Sequence, residues 1–253
     1  MSNKIKAIFV SPHFDDVALS CGGTASLLAR EGRVVVVTVF AARPPTELNR
    51  FAEFQHQRWG IASAAVDQRS QEDASAMGIL GADYRWLDFP DAIYRGDLYL
   101  TDDDLFGPVK PADCAFARTV RQAVIDLTQT WEVEQVYLPL AIGGHVDHRI
   151  CHEIAVPLAE NGSQIWLYED FPYALAIGAV EAAVIDTARP LVPHFVDVTS
   201  TFEQRLAAIA CYPSQIPTIF RYYGEPDGVT RGYASRLSGQ PGQFVERFWR
   251  PYP

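Results

Sequence analysis

The sequence is short of several things, and each shortage excludes a class of protein. No apolar run approaches the ~18 residues a membrane helix needs, so no membrane span is expected. Cysteine is sparse: Cys21, Cys114, Cys151 and Cys211 are scattered without paired spacing. That pattern excludes a disulfide framework and a cysteine-based zinc site, and it reads as buried free thiols of a reducing compartment. The opening MSNKIKAIFV runs straight into strand-forming residues and lacks the length and cleavage pattern of a signal peptide, so the expected location is the cytoplasm. Positive charge is also in deficit, with 21 Lys and Arg against 31 Asp and Glu and a net charge of -10. Such a surface repels a phosphate backbone, which argues against nucleic acid as a partner. There is no internal repeat, no low-complexity segment and no Gly-x-Gly-x-x-Gly after the first apolar run.

What is present suits a folded globular protein. With 253 residues, 48% of them apolar, the chain can bury about 70–75% of its unfolded surface and needs no staples. One domain is expected over 1–253, with a core at about 5–215 and an aromatic C-terminal extension over 216–253. Apolar, β-branched runs at 5–10, 34–40, 84–87, 135–138 and 164–168 read as strands. The run at 34–40 is almost continuous valine, the pattern of a strand buried on both faces. Helical patterns cover about 16–31, 53–77 with a break near Gly60, 115–131, a stretch from His145 onward, and 201–210. The polar, Pro-punctuated stretch 96–113 reads as an insertion or lid. Strands alternating with helices predict an α/β fold, a Rossmann-like, mostly parallel sheet flanked by helices. In such sheets the functional site sits at the C-terminal ends of the strands.

That rule selects two loops, and both are rich in His and Asp. After the first strand stands Ser11-Pro12-His13-Phe14-Asp15-Asp16. Zinc accepts imidazole nitrogen and carboxylate oxygen. Two adjacent carboxylates do not easily bind one ion from the same side, which leaves one free to act as a base. The competing reading makes Asp15 or Asp16 a helix cap and His13 a loop residue. Gly22 and Gly23 follow within the helix, where glycine costs stability, and close packing or substrate approach would explain them. After the fourth strand stands Gly143-Gly144-His145-Val146-Asp147-His148. Residues i and i+3 share a helix face, so His145 and His148 can enter one site, one on a metal and one on the substrate. Asp147 can fix the tautomer of an imidazole. His152, four residues beyond His148, offers an alternative metal pair or simply packs along the helix. His56 and His194 lie far from both loops and read as structural.

At these residues the chain resembles the PIG-L/LmbE-like family of zinc-dependent N-acetyl-sugar deacetylases. The family's His-Pro-Asp-Asp motif stands here as His13-Phe14-Asp15-Asp16, and its His-x-Asp-His motif as His145-Val146-Asp147-His148. Arg69 with Glu72, Phe89-Pro90-Asp91 and Tyr212-Pro213-Ser214-Gln215 are similar too. Phe14 replaces the family's proline, and a phenyl ring there can narrow the site. The resemblance implies a metal bound by His13, Asp16 and His148, with Asp15 as general base and then general acid. It implies His145, protonated, as the oxyanion stabiliser and Asp147 as the residue that orients it. Arg69 and Asp91 would bind substrate. The metal would be Zn2+, or another divalent first-row ion such as Fe2+. The expected reaction removes the acetyl group from an N-acetylglucosamine-type sugar or glycoconjugate. The alternative is a metal-dependent amidase acting on a non-sugar small metabolite or antibiotic intermediate. The segment 168–173 and the tail after Gln215 are expected to shape acceptor specificity.

Overall fold

Strand β1 (Lys4–Ser11) runs through the middle of a seven-stranded sheet. The computed structural model describes residues 4–58, 65–187 and 190–251. The other strands are β2 (Val34–Thr38), β3 (Asp83–Trp86), β4 (Glu132–Pro139), β5 (Gln164–Tyr168), β6 (Leu191–Asp197) and β7 (Val245–Pro251). Their order across the sheet is 3-2-1-4-5-7-6. Strands β1 to β5 are parallel, and β7 is antiparallel to both of its neighbours. The early helices are α1 (Asp16–Ala29), α2 (Arg50–Arg58), α3 (Ala65–Leu80), α4 (Asp102–Leu105), α5 (Cys114–Thr130) and α6 (Val146–His152). The five expected strands are all present, with ends shifted by at most three residues. The expected break near Gly60 lies outside the described residues.

Alternation along the strands builds two cores, one on each face of the sheet. Ile8, Val10, Val35 and Val37 pack with Val120 and Val124 of α5 and Ile150 of α6. Ala7, Phe9, Val34 and Val36 pack with Val17 and Ala18 of α1 and Ala76 and Met77 of α3. Every residue of β2 is buried, as its valine run requires, and each such side chain contributes about 1.5–3 kcal/mol. The chain winds one way from β1 to β3 and the other way from β4 onward. Between the carboxyl ends of β1 and β4 that reversal opens a crevice.

Two features lay outside the sequence reading. Strands β6 and β7 come from stretches whose pattern is weak: β6 is largely exposed at the sheet edge and contains Pro193, and β7 sets the charged pair Glu246-Arg247 before the aromatic pair Phe248-Trp249 with no alternation. β7 inserts between β5 and β6, so the aromatic C-terminal stretch contributes a strand to the sheet. The stretch 96–113 is anchored rather than free. Tyr99 and Leu105 are buried with Ala52, Ile93 and Val146, and the Tyr99 hydroxyl donates to Asp113. All four cysteines are free thiols, but only Cys21 and Cys151 are buried, because Cys114 and Cys211 fall on outward-facing turns of their helical segments.

Helix α1 is broken at Cys21, whose φ of -149° and ψ of 27° are not helical. In an unbroken helix the Gly23 N–H would bond the Leu19 carbonyl. Here that bond is replaced by a buried ion pair. Arg205 donates to the Leu19 oxygen at 2.5 Å and stands 3.2 Å from Glu246 of β7. Glu246 in turn accepts from the backbone N–H groups of Gly23 and Thr24 at 2.9 and 2.8 Å. The break therefore leaves both of these orphaned backbone groups partnered, as burial demands. It also explains Gly23: a Cβ there would stand 2.8 Å from both Glu246 Oε1 and Val198 Cβ. Gly23→Ala is expected to lower stability by about 1–3 kcal/mol. Gly228→Ala, in the helix Pro226–Ser238 with nothing within 4 Å of the new methyl, should be neutral or stabilising by up to about 1 kcal/mol. Urea unfolding midpoints of the two variants check the contrast, and equal effects would remove the packing explanation.

Candidate metal centre

The loop after β1 turns tightly. The Ser11 hydroxyl donates to the His13 carbonyl at 2.6 Å, and the His13 N–H donates to Asp16 Oδ2 at 2.7 Å. Asp15 occupies the N-cap position of α1, yet its side chain makes no capping hydrogen bond. The capping explanation therefore fails for Asp15. The loop after β4 is held in left-handed backbone at Gly143 and Gly144, with φ of 85° and 77°. A Cβ on Gly144 would stand 2.6 Å from Arg149 Nη2, so the close approach also requires glycine. His145 is the N-cap of α6, and its Nδ1 accepts from the Asp147 N–H at 3.2 Å.

These two loops bring three imidazoles around one point. Ring centroids of His13, His145 and His148 are 5.0 to 5.5 Å apart. Asp16 Oδ2 stands 3.4 Å from His13 Nδ1 and 3.5 Å from His148 Nε2. Two ligands at roughly 2.0–2.1 Å from one ion, at the tetrahedral angle, are about 3.4 Å apart. The donor atoms of His13, Asp16 and His148 all lie within 4.8 Å of one another. Both imidazoles are also oriented as a cation needs. His13 directs Nε2 at Asp147 Oδ2, 3.0 Å away, and His148 directs Nδ1 at Asp170 Oδ1, 2.6 Å away. With a cation bound and the rings neutral, each carboxylate would take the N–H of one ring nitrogen and leave the other nitrogen's lone pair for the ion beside Asp16. The residues fit a divalent cation.

A second group, His13, His145 and Asp147, is equally compact. It is a poorer site because the oxygens of Asp147 are already occupied. Oδ2 faces His13 and accepts from the Ala92 N–H at 3.1 Å, and Oδ1 accepts from Arg95 at 2.6 Å. His152 belongs to neither group; its Nδ1 is 2.9 Å from the Pro139 carbonyl, which ties α6 to β4.

Electrostatics separates the two neighbouring aspartates. Burial would raise Asp16, but the charges of His148 and His13 and a hydrogen bond from His13 outweigh it and hold Asp16 well below the usual range. Asp15 is raised to about 6 by burial, with Arg69, 3.8 Å away, pulling the other way. Burial pushes His13 and His148 down, yet the surrounding carboxylates more than offset it and leave both raised. His145 differs, for burial drives it well below its ordinary value. Both burial and the Asp147 N–H that His145 Nδ1 accepts run against the expected charged form of this ring and favour a neutral ring with its N–H at Nε2. The expected Asp147 carboxylate–His145 contact is corrected, since that carboxylate faces His13 and Arg95 and only the Asp147 backbone reaches His145.

Phe14 does not narrow the site. Its ring is buried against α1 and α3, edge-on to Trp86 and beneath the Arg69 guanidinium. Asp91 caps the turn Ala92–Tyr94 and lies 3.5 Å from His13 Nε2. Glu72 and Asp73 dock the Tyr212–Gln215 stretch: Ser214 donates to Glu72, and the Tyr212 hydroxyl donates to Asp73. Asp170 and Arg95 are the participants that sequence reasoning missed. An acid at the end of β5 was the available signal for Asp170; nothing local marks Arg95.

Fold and cluster together define a class: a Rossmann-like protein with a buried cluster of three donors that fits a divalent cation and a further carboxylate, Asp15, beside it. Residues 8–159 match the PIG-L family, described as GlcNAc-PI de-N-acetylase. The chain is 31% identical to 2'-N-acetylparomamine deacetylase of Streptomyces fradiae over 262 residues, 98% of this chain and 90% of that protein. It is 34% identical to 2'-N-acetylparomamine deacetylase of Niallia circulans over 189 residues, 66% of each. A crystal structure of a deacetylase in the biosynthesis pathway of teicoplanin aligns with a TM-score of 0.84 at 25% identity, covering 96% of both chains. The chain belongs to the PIG-L family, and it is a metal-dependent N-deacetylase. Among the described residues no helix is long and apolar enough to cross a membrane.

Two predictions test the centre and its support. His148→Ala should strip the protein of its divalent cation, while His152→Ala should retain it; metal analysis of both purified variants decides, and equal retention would exclude His148 as a ligand. Asp73 is raised to about 7 by burial, despite hydrogen bonds from Trp86 and Tyr212. Its folded pKa lies above its unfolded one, so its contribution is full below about pH 4 and is lost as pH rises through about 7. Relative to wild type, Asp73→Asn should gain on the order of a few kcal/mol of unfolding free energy between pH 5 and pH 8. Parallel pH dependences of the two proteins in urea titrations would refute it.

Proposed function

We propose that the chain hydrolyses the acetamide of an N-acetylated aminosugar, an N-acetylglucosamine-type ring free or within a larger conjugate, with Zn2+ held by His13, Asp16 and His148. The observation that carries this reading is the triangle of donors 3.4 and 3.5 Å from Asp16 Oδ2, with the uncapped Asp15 carboxylate next to it and outside the donor group. Two imidazoles and one carboxylate suit zinc, and the same set accepts Fe2+. When bound, the cation supplies Lewis acidity, lowering the pKa of water towards ~7 and polarising the acetamide carbonyl.

The chain's own residues do the rest. Asp15 takes the proton of the attacking water and returns it to the leaving amine, a task suited to a carboxyl raised to about 6. His145 presents Nε2–H to the developing oxyanion; as a neutral donor it needs no charge. Asp147 and Asp170 keep the His13 and His148 rings turned the right way. Arg69 braces Asp15 and, with Asp91, supplies the polar edge on which sugar hydroxyls bind. The relatives' 2'-N-acetylparomamine is an acetylated aminosugar, which favours the sugar reading over the non-sugar alternative. An N-acetylated aminosugar within a larger conjugate is therefore the leading candidate.

Asp15→Asn should keep its cation and lose about 10²–10⁴ in turnover. The base works as the carboxylate, so wild-type turnover should fall about tenfold per unit on the acid side, with an apparent pKa near or below 6 because a bound cation lowers it further. Acetate release is to be measured from N-acetylglucosamine, 2'-N-acetylparomamine and a non-sugar acetamide. Undiminished turnover in Asp15→Asn removes the base assignment, and faster cleavage of the non-sugar amide favours the alternative substrate class.

A further inference from the structure

Arg95 lies outside the His and Asp motifs, on the segment that follows Asp91, and it is buried behind the metal centre. Its Nη2 donates to Asp147 Oδ1 at 2.6 Å, and its Nε stands 3.3 Å from Asp113 Oδ2. Three rings enclose the guanidinium, with Phe116, Tyr99 and Phe40 centroids 4.9, 5.1 and 5.4 Å from its central carbon. Asp113 is itself fixed by the Tyr99 hydroxyl at 3.0 Å. Among the described residues Nε and Nη1 have no aligned hydrogen-bond partner, and the fork's well-formed bond there is the one to Asp147.

That bond decides what Asp147 can do. The residue is fully buried, and each of its oxygens has a different task. With Oδ1 taken by Arg95, Oδ2 is left to the Ala92 N–H and to His13 Nε2. Turning the carboxylate about its own axis would break all three contacts at once. The other imidazole has a simpler support, since Asp170 is held by the Ile142 N–H and by no arginine. The His13 arm is thus a four-member line of guanidinium, carboxylate, imidazole and cation site, whose far end is locked by packing.

We propose that Arg95 is a positioning residue for the metal centre: by saturating Asp147 Oδ1 inside an aromatic cage, it holds Oδ2 on His13 Nε2 and so turns His13 Nδ1 towards the cation. This rests on the cation reading given above. Ring N–H acceptors of this kind typically change metal affinity 10–100-fold when disturbed, and Arg95 acts one bond further out. The competing role is structural, a counter-charge for two buried carboxylates.

The test uses the full chain stripped by chelator and titrated with Co2+, read by its visible d–d band and by chelator competition. Arg95→Met leaves Asp113 without its partner, so the Arg95→Met/Asp113→Asn double variant is measured beside it. Apo-protein circular dichroism and melting report the fold. A folded variant is expected to bind Co2+ about 10–100-fold more weakly than wild type, with an altered d–d band, and to lose kcat with KM little changed. Native Co2+ affinity and an unchanged band in a folded variant overturn the proposal. Unfolding of both apo variants overturns it as well, since Arg95 would then serve the fold. Failure of the underlying cation reading looks different: wild type would bind no Co2+, or His148→Ala would bind it as tightly as wild type.

Discussion

Concentrated buried negative charge is the constraint around which this molecule is arranged. Asp15, Asp16, Asp91, Asp147 and Asp170 are all buried near one crevice, and the arginines among them are Arg69 and Arg95. Burying carboxylates without compensation is costly, and part of the compensation here comes from His13 and His148. Both imidazoles are drawn towards the protonated form by the acids around them. A divalent cation in the triangle of His13, Asp16 and His148 would supply that positive charge without protonating either ring. The same acids that make a cation welcome also orient its ligands, so charge and geometry point to one occupant.

Distant parts of the chain hold this arrangement together. The Arg205–Glu246 pair takes the place of a missing bond inside α1, the helix whose first residue is Asp16. On the same strand β7, Arg247 and Trp249 donate to Glu169, the neighbour of Asp170. The C-terminal strand therefore supports both halves of the centre, the β1 loop through α1 and the His148 arm through β5. An aromatic tail that looked peripheral in the sequence is built into the sheet next to β5.

What was legible in the sequence was local. A valine run declares a buried strand, and a strand followed by His-x-Asp-Asp or by Gly-Gly-His-x-Asp-His declares a site at its end. Side-chain partners were not legible, because they join elements far apart in sequence. Arg95 meets Asp147 across 52 residues and Glu246 meets Gly23 across 223. Short spacing even misled: Asp147 is two residues from His145, yet on the first turn of α6 its carboxylate points to His13. The burial that disfavours a charged His145 was not legible for a similar reason. Burial dominates its environment, and burial cannot be read from the motif. Phe14 replaces a proline at a position that faces the core, so the substitution leaves the donor set intact.

The division of labour proposed for Asp15 and Asp16 follows from a one-residue step at a strand-to-helix turn. Asp16 swings back over the His13 backbone N–H and lies between two imidazoles, where its negative charge is favoured. Asp15 is buried, with the Arg69 guanidinium 3.8 Å away, and burial disfavours its charge enough to raise it to about 6. Two chemically identical groups thus differ in proton affinity because their surroundings differ. A ligand must stay ionised at working pH, and a base that later acts as an acid must be able to hold a proton. Exchanging the two environments would leave the same atoms present and spoil both tasks. On the proposed reading, the identity of the base is set by which aspartate the turn directs to the imidazoles, and the hydrogen bond from the His13 backbone fixes that direction for Asp16.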